Sequence, residues 1–422
     1  MKICTVYKED RTVKGMILLP ASKSISNRLL IIRSLSETGF RIANLSAADD
    51  TALLTQHLAT INRHQGSSTV CTLDTHNAGT VMRFLTAYLA VKPGSWTLVG
   101  SERMYERPIG LLVEALINLG ADIEYLGTSG FPPLKITGRS LRGGDLQVDA
   151  SVSSQFISAL LMIAPILPGG LSLTMTEKPV SDPYIEMTIR LMEKFGIDLH
   201  QEQNMIRVKS GKYKGADYTV EADWSSAAFC YEVVALSANS ELHLPGLLLP
   251  SIQGDAVLPI VYKALGVQTE KTLHGIILTK KEMGTDLFRY DFRGCPDIAP
   301  VVITTCAALK IKGKFHGLKG LNIKETNRIT ALVNELRKIG IILEVTGEGD
   351  RIDLVEESQA SLSQYANIVF ESYDDHRMIM TFAPLALMLG SVRVANPDAV
   401  SKSYPGFWEE MTKVGFKVRG ER

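Results

Sequence analysis

The hydrophobic pattern of this chain changes period repeatedly, from helical stretches with apolar residues every three to four positions to strand-like alternation. At five places the change falls on a glycine that follows an apolar helical stretch: Gly120, Gly196, Gly266, Gly340 and Gly415. Each glycine is typical of a helix C-terminus that leads into a strand. Successive glycines lie 70 to 76 residues apart, which indicates a repeated unit rather than unrelated loops.

A second marker, a small polar or acidic cluster ahead of an apolar helical run, occurs six times in near phase with the glycines. The clusters are centred on Lys23, Gly79, Ser154, Ser225, Asp297 and His376. Any one of them alone is typical of an ordinary helix N-cap, because Ser, Asp and Asn are preferred capping residues. All six in phase predict six strand and helix units. If these helices begin in a common direction, their N-termini converge and favour an anion.

Length and composition predict two or three globular domains without a bulk electrostatic partner. The chain has 422 residues, of which 45% are hydrophobic and 21% charged, so it is long enough for several buried cores. Lys plus Arg and Asp plus Glu each total 45, which argues against nucleic acid or an anionic membrane as a partner. Any role of the cations is therefore local.

The cysteine pattern predicts a reducing compartment. The five cysteines are widely spaced, with no Cys-x-x-Cys pair and no His at metal-ligand spacing: Cys4, Cys71, Cys230, Cys295 and Cys306. Neither a disulfide framework nor a metal site is predicted. The chain shows no signal peptide and no apolar run long enough to span a bilayer. We expect a cytoplasmic protein.

Basic residues stand at the start of several predicted helices, where they oppose the helix dipole. They are Lys23, Arg28, Arg83, Arg107, Lys324, Arg328 and Arg377. Each such cation costs about 0.3 to 1 kcal/mol, and Lys324 with Arg328 adds a like-charged i,i+4 pair. Solvation, or pairing with Glu106, Glu325 and Asp375, accounts for any single residue. The whole set favours a multiply anionic ligand held by arginine forks, and no glycine-rich nucleotide-binding loop accompanies it.

Seven ordered motifs make the chain similar to a known family. They are Leu19–Arg28, Asn77–Arg83, Glu106–Ile109, Ser153–Phe156, Lys324–Arg328, Asp374–Met378 and Ser401–Ser403. Over nearly its whole length the chain resembles the 5-enolpyruvylshikimate-3-phosphate synthases, enolpyruvyl transferases of the shikimate pathway. The resemblance implies transfer of the enolpyruvyl group of phosphoenolpyruvate to the 5-hydroxyl of shikimate 3-phosphate, with release of phosphate through a tetrahedral intermediate. It also implies a monomer that uses no cofactor and serves aromatic amino acid (chorismate) biosynthesis.

The resemblance further implies an α/β fold of two domains, each with three strand and helix units. The helix N-termini would face an interdomain cleft that holds the active site. Residues 20–221 would form one domain, and residues 1–19 with 222–422 the other, so that the chain crosses twice at a hinge. This arrangement agrees with the six-fold repeat of the hydrophobic pattern.

Carried over residue by residue, the resemblance implies two sets of binding residues. Shikimate 3-phosphate would contact Lys23, Ser24, Arg28, Ser153, Ser154, Gln155, Ser181, Tyr184, Asp297 and Lys324. Phosphoenolpyruvate would contact Lys23, Gly79, Arg107, Gln155, Arg328, Arg377 and Lys402. Asp297 resembles the base that takes the 5-hydroxyl proton, and Glu325, with Lys23 close by, resembles the acid that protonates the methylene carbon. Adding an alcohol across an enol ether needs both groups.

Structural roles compete with these assignments at four positions. Residue type alone makes Asp297 typical of a helix cap and Glu325 typical of a surface carboxylate between two cations. Ser181 is equally consistent with a cap, and Tyr184 with a packed aromatic side chain. The resemblance favours the functional role at each position.

Four residues depart from the family pattern: Gly320 replaces an asparagine, Asn327 an aspartate, His76 a glycine and Phe84 a proline. At Gly320 we expect a polar contact near the phosphate to be lost or supplied by Asn322. At Asn327 we expect the Arg328 guanidinium to be less tightly oriented.

Phe84 carries a prediction about glyphosate, which the resemblance places in the phosphoenolpyruvate site, close to the backbone of Gly79. The presence of Gly79 predicts sensitivity. Proline would fix the backbone φ angle at position 84, whereas Phe84 leaves it free and has a larger side chain. We therefore expect a small shift of Gly79 and weaker inhibition by glyphosate than is normal for the family.

Two other functions compete with this one. The related enolpyruvyl transferase that acts on UDP-linked N-acetylglucosamine shares the fold, but its reactive loop cysteine has no convincing counterpart here, and Asp374–Arg377 favours the shikimate enzyme. A non-catalytic binder of phosphorylated metabolites would need neither Asp297 nor Glu325, and both are present.

Overall fold

Strands and helices alternate along the chain in the computed structural model, which describes residues 2–64, 69–149, 153–177, 182–357 and 368–421. The helices are α1 (Lys23–Leu35), α2 (Asp49–His64), α3 (Gly79–Val91), α4 (Glu102–Tyr105), α5 (Gly110–Asn118), α6 (Ser154–Ile163), α7 (Asp182–Lys194), α8 (Trp224–Leu236), α9 (Leu258–Lys263), α10 (Ala299–Ala308), α11 (Arg328–Arg337), α12 (His376–Phe382), α13 (Ala386–Leu389) and α14 (Phe407–Lys413). The strands are β1 (Ile3–Tyr7), β2 (Thr12–Met16), β3 (Ile42–Ala43), β4 (Val70–Asp74), β5 (Gly94–Val99), β6 (Asp122–Tyr125), β7 (Leu134–Gly138), β8 (Gly144–Val148), β9 (Leu171–Met175), β10 (Leu199–Glu202), β11 (Met205–Val208), β12 (Tyr218–Thr219), β13 (Asn239–Pro245), β14 (Val267–Lys271), β15 (Gly275–Lys280), β16 (Leu287–Asp291), β17 (Lys312–His316), β18 (Ile341–Thr346), β19 (Arg351–Glu357), β20 (Val369–Phe370), β21 (Ser391–Ala395) and β22 (Lys417–Glu421).

The chain folds into two compact units. The N-terminal unit is Lys23–Val220, and the C-terminal unit consists of the residues up to Ser22 together with those from Glu221 onward. The two connecting segments lie side by side within the C-terminal unit, where the backbone N–H of Ser22 donates to the carbonyl of Glu221 at 2.9 Å. The chain therefore leaves and re-enters this unit at neighbouring positions.

Five four-stranded sheets share one connectivity. Their strand orders are β4-β5-β7-β6, β8-β9-β11-β10, β2-β13-β15-β14, β16-β17-β19-β18 and β20-β21-β1-β22. In each sheet the first two strands are parallel and the remaining pairs antiparallel. In the described residues a sixth sheet pairs only β3 with β12, so the repeated units are not all of one size. The α/β fold class predicted from the sequence is confirmed.

The N-terminal strands complete two sheets of the C-terminal unit. Strand β1 lies between β21 and β22, and β2 pairs with β13. Cys4 and Val6 of β1 are buried in the core of that unit. Residues from both ends of the sequence therefore belong to one folding unit.

The five glycines of the sequence repeat adopt the backbone conformation expected at helix ends. Their φ angles lie between +78° and +98°, a region in which a side chain is strained. Each follows α5, α7, α9, α11 or α14 within three residues and precedes a strand. The predicted helix ends are confirmed.

Central helices of both units are buried around most of their circumference. In the C-terminal unit α8 packs against α10, and nearly all side chains of both helices are buried. In the N-terminal unit α3 packs against α6, and both are similarly buried. Helices that are apolar on every face require such an interior position. Within the described ranges, no helix combines the length and the apolar character that a membrane span requires.

A carboxyl group lies in the middle of this core. Glu232, on α8, is 0% exposed, and within the described chain neither carboxyl oxygen has a hydrogen-bond partner. Burial raises the pKa of Glu232 well above its usual value. Since an ionised carboxylate without a partner is too costly to bury, Glu232 is protonated at neutral pH.

Glu232→Gln should therefore stabilise the C-terminal unit relative to the parent increasingly as pH rises. Glu232 ionises above about pH 4.3 in the unfolded chain but keeps its proton in the folded one, so its contribution is lost as pH rises above the unfolded pKa. The difference in unfolding free energy should change by about 2 to 3 kcal/mol between pH 5 and 7, measured by urea denaturation. A difference independent of pH would show that the carboxyl group titrates normally.

Candidate active site

Carboxylates and cations from separate elements of the C-terminal unit meet around Arg328, at the start of α11. The Arg328 Nε and Nη2 atoms donate to the two carboxylate oxygens of Asp375 at 2.8 and 3.2 Å. Nη1 donates to Asp297 at 3.1 Å, and Nη2 also donates to Glu325 at 2.9 Å. The Arg328 and Asp375 side chains are 1% and 0% exposed. A buried, bidentate pair fixes the guanidinium in one orientation.

This geometry corrects the expectation for Asn327. Its side-chain oxygen accepts a hydrogen bond from the backbone N–H of Thr330 at 3.1 Å, so Asn327 caps α11. The expectation of a loosely oriented Arg328 is wrong, because Asp375, 47 residues away in the sequence, holds the guanidinium instead.

Asp297 binds two further cations. Its carboxylate lies 3.0 Å from Arg377 Nη2 and 3.5 Å from Lys324 Nζ, in addition to the Arg328 contact, and its side chain is 14% exposed. Burial opposes ionisation, but Arg377, Lys324 and Arg328 hold the pKa of Asp297 well below its usual value. The residue lies in a 3-10 turn before α10, whose N-cap is Ile298, without a side-chain cap. Asp297 is thus an ionised carboxylate in a cationic cluster and does not cap α10.

Glu325 is likewise not a surface carboxylate. Its side chain is 12% exposed and forms an ion pair with Arg328 at 2.9 Å. The neighbouring Lys324 lies 3.5 Å from the carboxylate of Asp297. Lys402 is partly buried at the end of the 3-10 turn Pro397–Lys402, which packs against α12, the helix that carries Arg377.

In the N-terminal unit Arg28 is buried among neutral oxygen atoms. Its guanidinium donates to the hydroxyl groups of Thr188 and Ser158 at 2.6 and 2.9 Å and to the carbonyl oxygens of Ser24 and Tyr184 at 3.0 and 3.2 Å. Burial lowers the pKa of Arg28 to about 10. The cation is well oriented but its charge is not balanced by any of these four partners, which suits an anionic ligand.

Two aromatic rings face the same guanidinium. The Arg28 Cζ atom lies 5.3 Å from the centre of the Phe84 ring and 5.9 Å from that of Tyr184. Such cation–π contacts partly offset the cost of burying the charge. Phe84 therefore contacts a predicted shikimate 3-phosphate residue, a contact that the sequence pattern did not indicate.

Two further guanidinium groups lie against Gly79, the first residue of α3. A Cβ atom added at Gly79 would lie 2.6 Å from Arg107 Nη2 and 3.1 Å from Arg83 Nη1. Arg107 Nη1 donates to the backbone carbonyl and side-chain oxygen of Asn77 at 3.0 and 3.2 Å, and Arg83 Nη2 donates to the carbonyl of Pro108 at 3.0 Å. Any side chain at position 79 would displace Arg107.

The start of α1 is tied to its neighbours by side chains. Lys23 Nζ pairs with Asp50 at 2.9 Å. Asn27 donates to Thr80 and accepts from Thr51, both at 2.8 Å, and so links α1 with α3 and α2. These contacts fix the start of α1, the helix that carries Lys23 and Arg28, against α2 and α3.

At α6, Ser153 is the N-cap, and its hydroxyl accepts from the backbone N–H of Gln155 at 3.2 Å. Ser154 begins the helix and is buried. Tyr184 lies on α7, and Ser181 lies outside the described residues.

The structure also describes the surroundings of two other departures from the family pattern, His76 itself and, for Gly320, the nearby Asn322. His76 has a φ of +47°, which is why a glycine suits this position and why a side chain is tolerated only with strain. Asn322 donates to the carbonyl of Glu348 at 3.2 Å, so part of its hydrogen-bonding capacity is used within the C-terminal unit.

The predicted site residues thus form separate groups in the two units. The N-terminal unit contains Lys23, Ser24, Arg28, Gly79, Arg107, Ser153, Ser154, Gln155 and Tyr184. The C-terminal unit contains Asp297, Lys324, Glu325, Arg328, Arg377 and Lys402. Asp375, Thr188 and Ser158 hold these residues in place but were not among the predicted site residues. Of the three, only Asp375 had a sequence signal, in the Asp374–Met378 motif.

Both units therefore present buried or partly buried cations near helix starts, as in a protein that binds a multiply anionic substrate. The EPSP synthase (3-phosphoshikimate 1-carboxyvinyltransferase) family model matches residues 7–411. The 3-phosphoshikimate 1-carboxyvinyltransferase of Bacteroides fragilis is 43% identical over 415 residues, which cover 96% of this chain and 97% of the relative. That of Sulfurovum sp. is 35% identical, over 96% and 98% of the two chains.

Solved structures agree on the fold. An EPSP synthase structure from Acinetobacter baumannii superposes with a TM-score of 0.78 over the full length of both chains, at 22% sequence identity. The chain belongs to the EPSP synthase family and is an enolpyruvyl (1-carboxyvinyl) transferase of aromatic amino acid biosynthesis. The UDP-N-acetylglucosamine enzyme and the non-catalytic binder are not favoured.

Proposed function

We propose that this chain transfers the enolpyruvyl group of phosphoenolpyruvate to the 5-hydroxyl of shikimate 3-phosphate and that the residues predicted from the sequence carry out the reaction. Family membership supports the reaction. The Asp297 carboxylate, bound by three cations at 3.0 to 3.5 Å beside Glu325, is the observation that best supports the residue roles. A cluster that contains a buried base, a buried acid and several cations suits an addition followed by an elimination at the carbon that carries the phosphate group of phosphoenolpyruvate.

Phosphoenolpyruvate is proposed to bind where arginine forks can hold its carboxylate and phosphate. The residues are Lys23, Gly79, Arg107, Gln155, Arg328, Arg377 and Lys402. The guanidinium of Arg107 lies against Gly79, so the absence of a side chain there keeps this cation in place. Arg328 and Arg377 are held by carboxylates, which fixes their forks before the ligand arrives.

Shikimate 3-phosphate is proposed to bind a second set of residues. These are Lys23, Ser24, Arg28, Ser153, Ser154, Gln155, Ser181, Tyr184, Asp297 and Lys324. Arg28 supports this assignment because its four hydrogen-bond acceptors are neutral, so an anionic group would balance its charge. Ser153, Ser154 and Lys324 are proposed to hold the phosphate.

In the mechanism, Asp297 removes the proton of the 5-hydroxyl of shikimate 3-phosphate. At the same time, the hydroxyl oxygen attacks C2 of phosphoenolpyruvate. Glu325, with Lys23, delivers a proton to the methylene carbon, which completes the tetrahedral intermediate. Reversal of these roles then removes a methyl proton and expels phosphate, whose developing charge the cations stabilise. Anionic substrates also offset the cations around Asp297, so its affinity for a proton rises when both are bound.

The direct test is release of inorganic phosphate when the protein is incubated with phosphoenolpyruvate and shikimate 3-phosphate. We expect turnover with this acceptor and none with UDP-N-acetylglucosamine as the control. Phosphate release only with the sugar nucleotide, or binding of phosphoenolpyruvate and shikimate 3-phosphate without turnover, would contradict the proposal.

Arg107→Ala and Arg377→Ala should each weaken phosphoenolpyruvate binding by about 10-fold to 100-fold, because each loses a charged hydrogen bond of about 1.5 to 3 kcal/mol. The Michaelis constant for phosphoenolpyruvate measures the effect. Arg190→Ala is the matched control, since Arg190 is exposed on α7 and pairs only at the surface. Unchanged constants in both site variants would end the assignment.

Glyphosate should inhibit this enzyme more weakly than is normal for the family, and Phe84→Pro should restore tighter inhibition with near-normal turnover. Phe84 is buried within α3, five residues after Gly79, so its replacement changes the helix that carries this glycine. The inhibition constant is compared among the parent, Phe84→Pro and the control Phe84→Leu, which keeps the dihedral free. No tightening in the proline variant would make Phe84 a packing residue only.

We further propose a monomer that acts in the cytoplasm on these small-molecule substrates. The five cysteines are free thiols, which suits a reducing compartment. Light scattering coupled to gel filtration tests the oligomeric state.

A further inference from the structure

Glu335 is a buried carboxylate on α11 for which the family assignment provides no role. It lies seven residues after Arg328, so both side chains leave the same face of the helix, about 10 Å apart along its axis. The Glu335 side chain is 1% exposed. A carboxylate in such a position requires donors around it.

Three donors meet this carboxylate, and two of them belong to residues 371–373. The hydroxyl of Tyr373 donates to Oε1 at 2.8 Å, and the backbone N–H of Glu371 donates to Oε2 at 2.9 Å. The third donor is Lys338 Nζ, which contacts Oε2 at 2.6 Å and also donates to the carbonyl of Val369, on β20, at 2.8 Å. The end of α11 is thereby bound to the chain that runs from β20 to α12.

The turn between β20 and α12 has a strained backbone. Tyr373 and Asp374 have φ angles of +53° and +52°, in the left-handed region that residues other than glycine enter at a cost. The Asp374 N–H donates to the Ser372 hydroxyl at 3.2 Å, and the Asp375 N–H donates to the Ser372 carbonyl at 2.9 Å. Two consecutive residues of this kind persist only where their surroundings hold them. Glu335 holds this turn through Tyr373 itself.

The turn leads directly to Asp375, the partner of Arg328. Asp375 caps α12 by accepting from the backbone N–H of Arg377 at 3.0 Å, and its carboxylate binds Arg328 at 2.8 and 3.2 Å. Helix α11 therefore contacts residues 371–375 twice, through Glu335 and through Arg328. The place of this segment along α11 determines whether the Asp375 carboxylate meets the guanidinium in its bidentate geometry.

We propose that Glu335 is a positioning residue of the phosphoenolpyruvate site. Its contacts with residues 371–373 fix the turn that places Asp375 against Arg328, and so keep this guanidinium oriented for the anion. The inference rests on the proposed role of Arg328 in binding phosphoenolpyruvate, and Glu335 acts only through that side chain.

The first test is the steady-state kinetics of Tyr373→Phe, which removes one hydroxyl group and leaves the carboxylate in place. The Michaelis constant for phosphoenolpyruvate should rise about 3-fold to 10-fold, as for the loss of one hydrogen bond, while kcat and the Michaelis constant for shikimate 3-phosphate change by less than about 2-fold. The proposed contacts of shikimate 3-phosphate include neither Arg328 nor Asp375, which is why the two constants should separate. An unchanged Michaelis constant for phosphoenolpyruvate overturns the inference.

Tyr262→Phe is the matched control, because the Tyr262 hydroxyl makes a buried hydrogen bond with Thr305 at 3.0 Å in the same unit. It should leave kcat and both Michaelis constants unchanged. A loss of stability lowers the amount of active enzyme and therefore does not raise one Michaelis constant selectively.

Glu335→Gln tests the carboxylate directly. The amide offers one acceptor oxygen, so it cannot hold Tyr373 and the Glu371 N–H as the two carboxylate oxygens do. The Michaelis constant for phosphoenolpyruvate should rise at least as far as in Tyr373→Phe. Equal changes in both Michaelis constants, or a fall in kcat alone, would show that Glu335 only stabilises the fold and would overturn the inference.

A double-mutant cycle tests whether the effect passes through Arg328. Arg328→Lys keeps a cation but loses the bidentate fork, so the orientation that Glu335 secures no longer matters. In this background Tyr373→Phe should raise the Michaelis constant for phosphoenolpyruvate by less than about 2-fold. Its full effect in the same background would overturn the inference. A parent protein without phosphate release would instead refute the proposed function.

Discussion

Asp297→Asn should reduce turnover by about 100-fold to 10,000-fold while shikimate 3-phosphate still binds, and Glu325→Gln should do the same. Each change keeps the shape of the side chain but removes the group that accepts or delivers a proton. Asp297 is the carboxylate around which Arg328, Arg377 and Lys324 meet.

The measurement is phosphate release under saturating substrates, with ligand binding followed by calorimetry. Asp353→Asn is the matched control, because Asp353 is a half-buried carboxylate on β19 that pairs with Lys314 of the neighbouring strand β17. If both site variants turn over like the parent, the proton-transfer roles belong to other residues.

Arg328→Ala should destabilise the C-terminal unit by about 3 to 5 kcal/mol, in addition to any loss of phosphoenolpyruvate binding. Removal of one partner from a buried ion pair leaves the other charge without compensation. Here Asp375 loses a bidentate partner while 0% exposed, and Asp297 and Glu325 lose a shared cation.

Urea denaturation at pH 7 measures this effect, with Arg377→Ala as the comparison. Arg377 is slightly more exposed, and its partner Asp297 keeps Lys324 and Arg328, so we expect a smaller loss. A loss below about 1 kcal/mol in Arg328→Ala would show that the carboxylates find other partners or protonate. Arg107→Ala and Arg377→Ala are thus cleaner probes of binding than Arg328→Ala.

The sequence alone predicted the features that neighbouring residues encode. The glycines at 120, 196, 266, 340 and 415 end helices as predicted, because a positive φ is a local requirement that glycine meets without strain. The ordered motifs were sufficient for the family and the α/β fold class, both of which are confirmed. Helix starts were partly predicted for the same reason, since Ser153 and Asp223 cap helices through their own backbone neighbours.

The tertiary structure decided how the charges are paired. Asp375 holds Arg328 across 47 residues, and Thr188 holds Arg28 across 160. No sequence period reports such contacts, because they depend on which helices pack together and on the direction in which each side chain leaves its helix. The same reason explains why the expectation of a loosely oriented Arg328 beside Asn327 was wrong and why the contact between Phe84 and Arg28 was not foreseen. Local sequence specified the helices and their ends, and packing specified the electrostatic environment of the residues they carry.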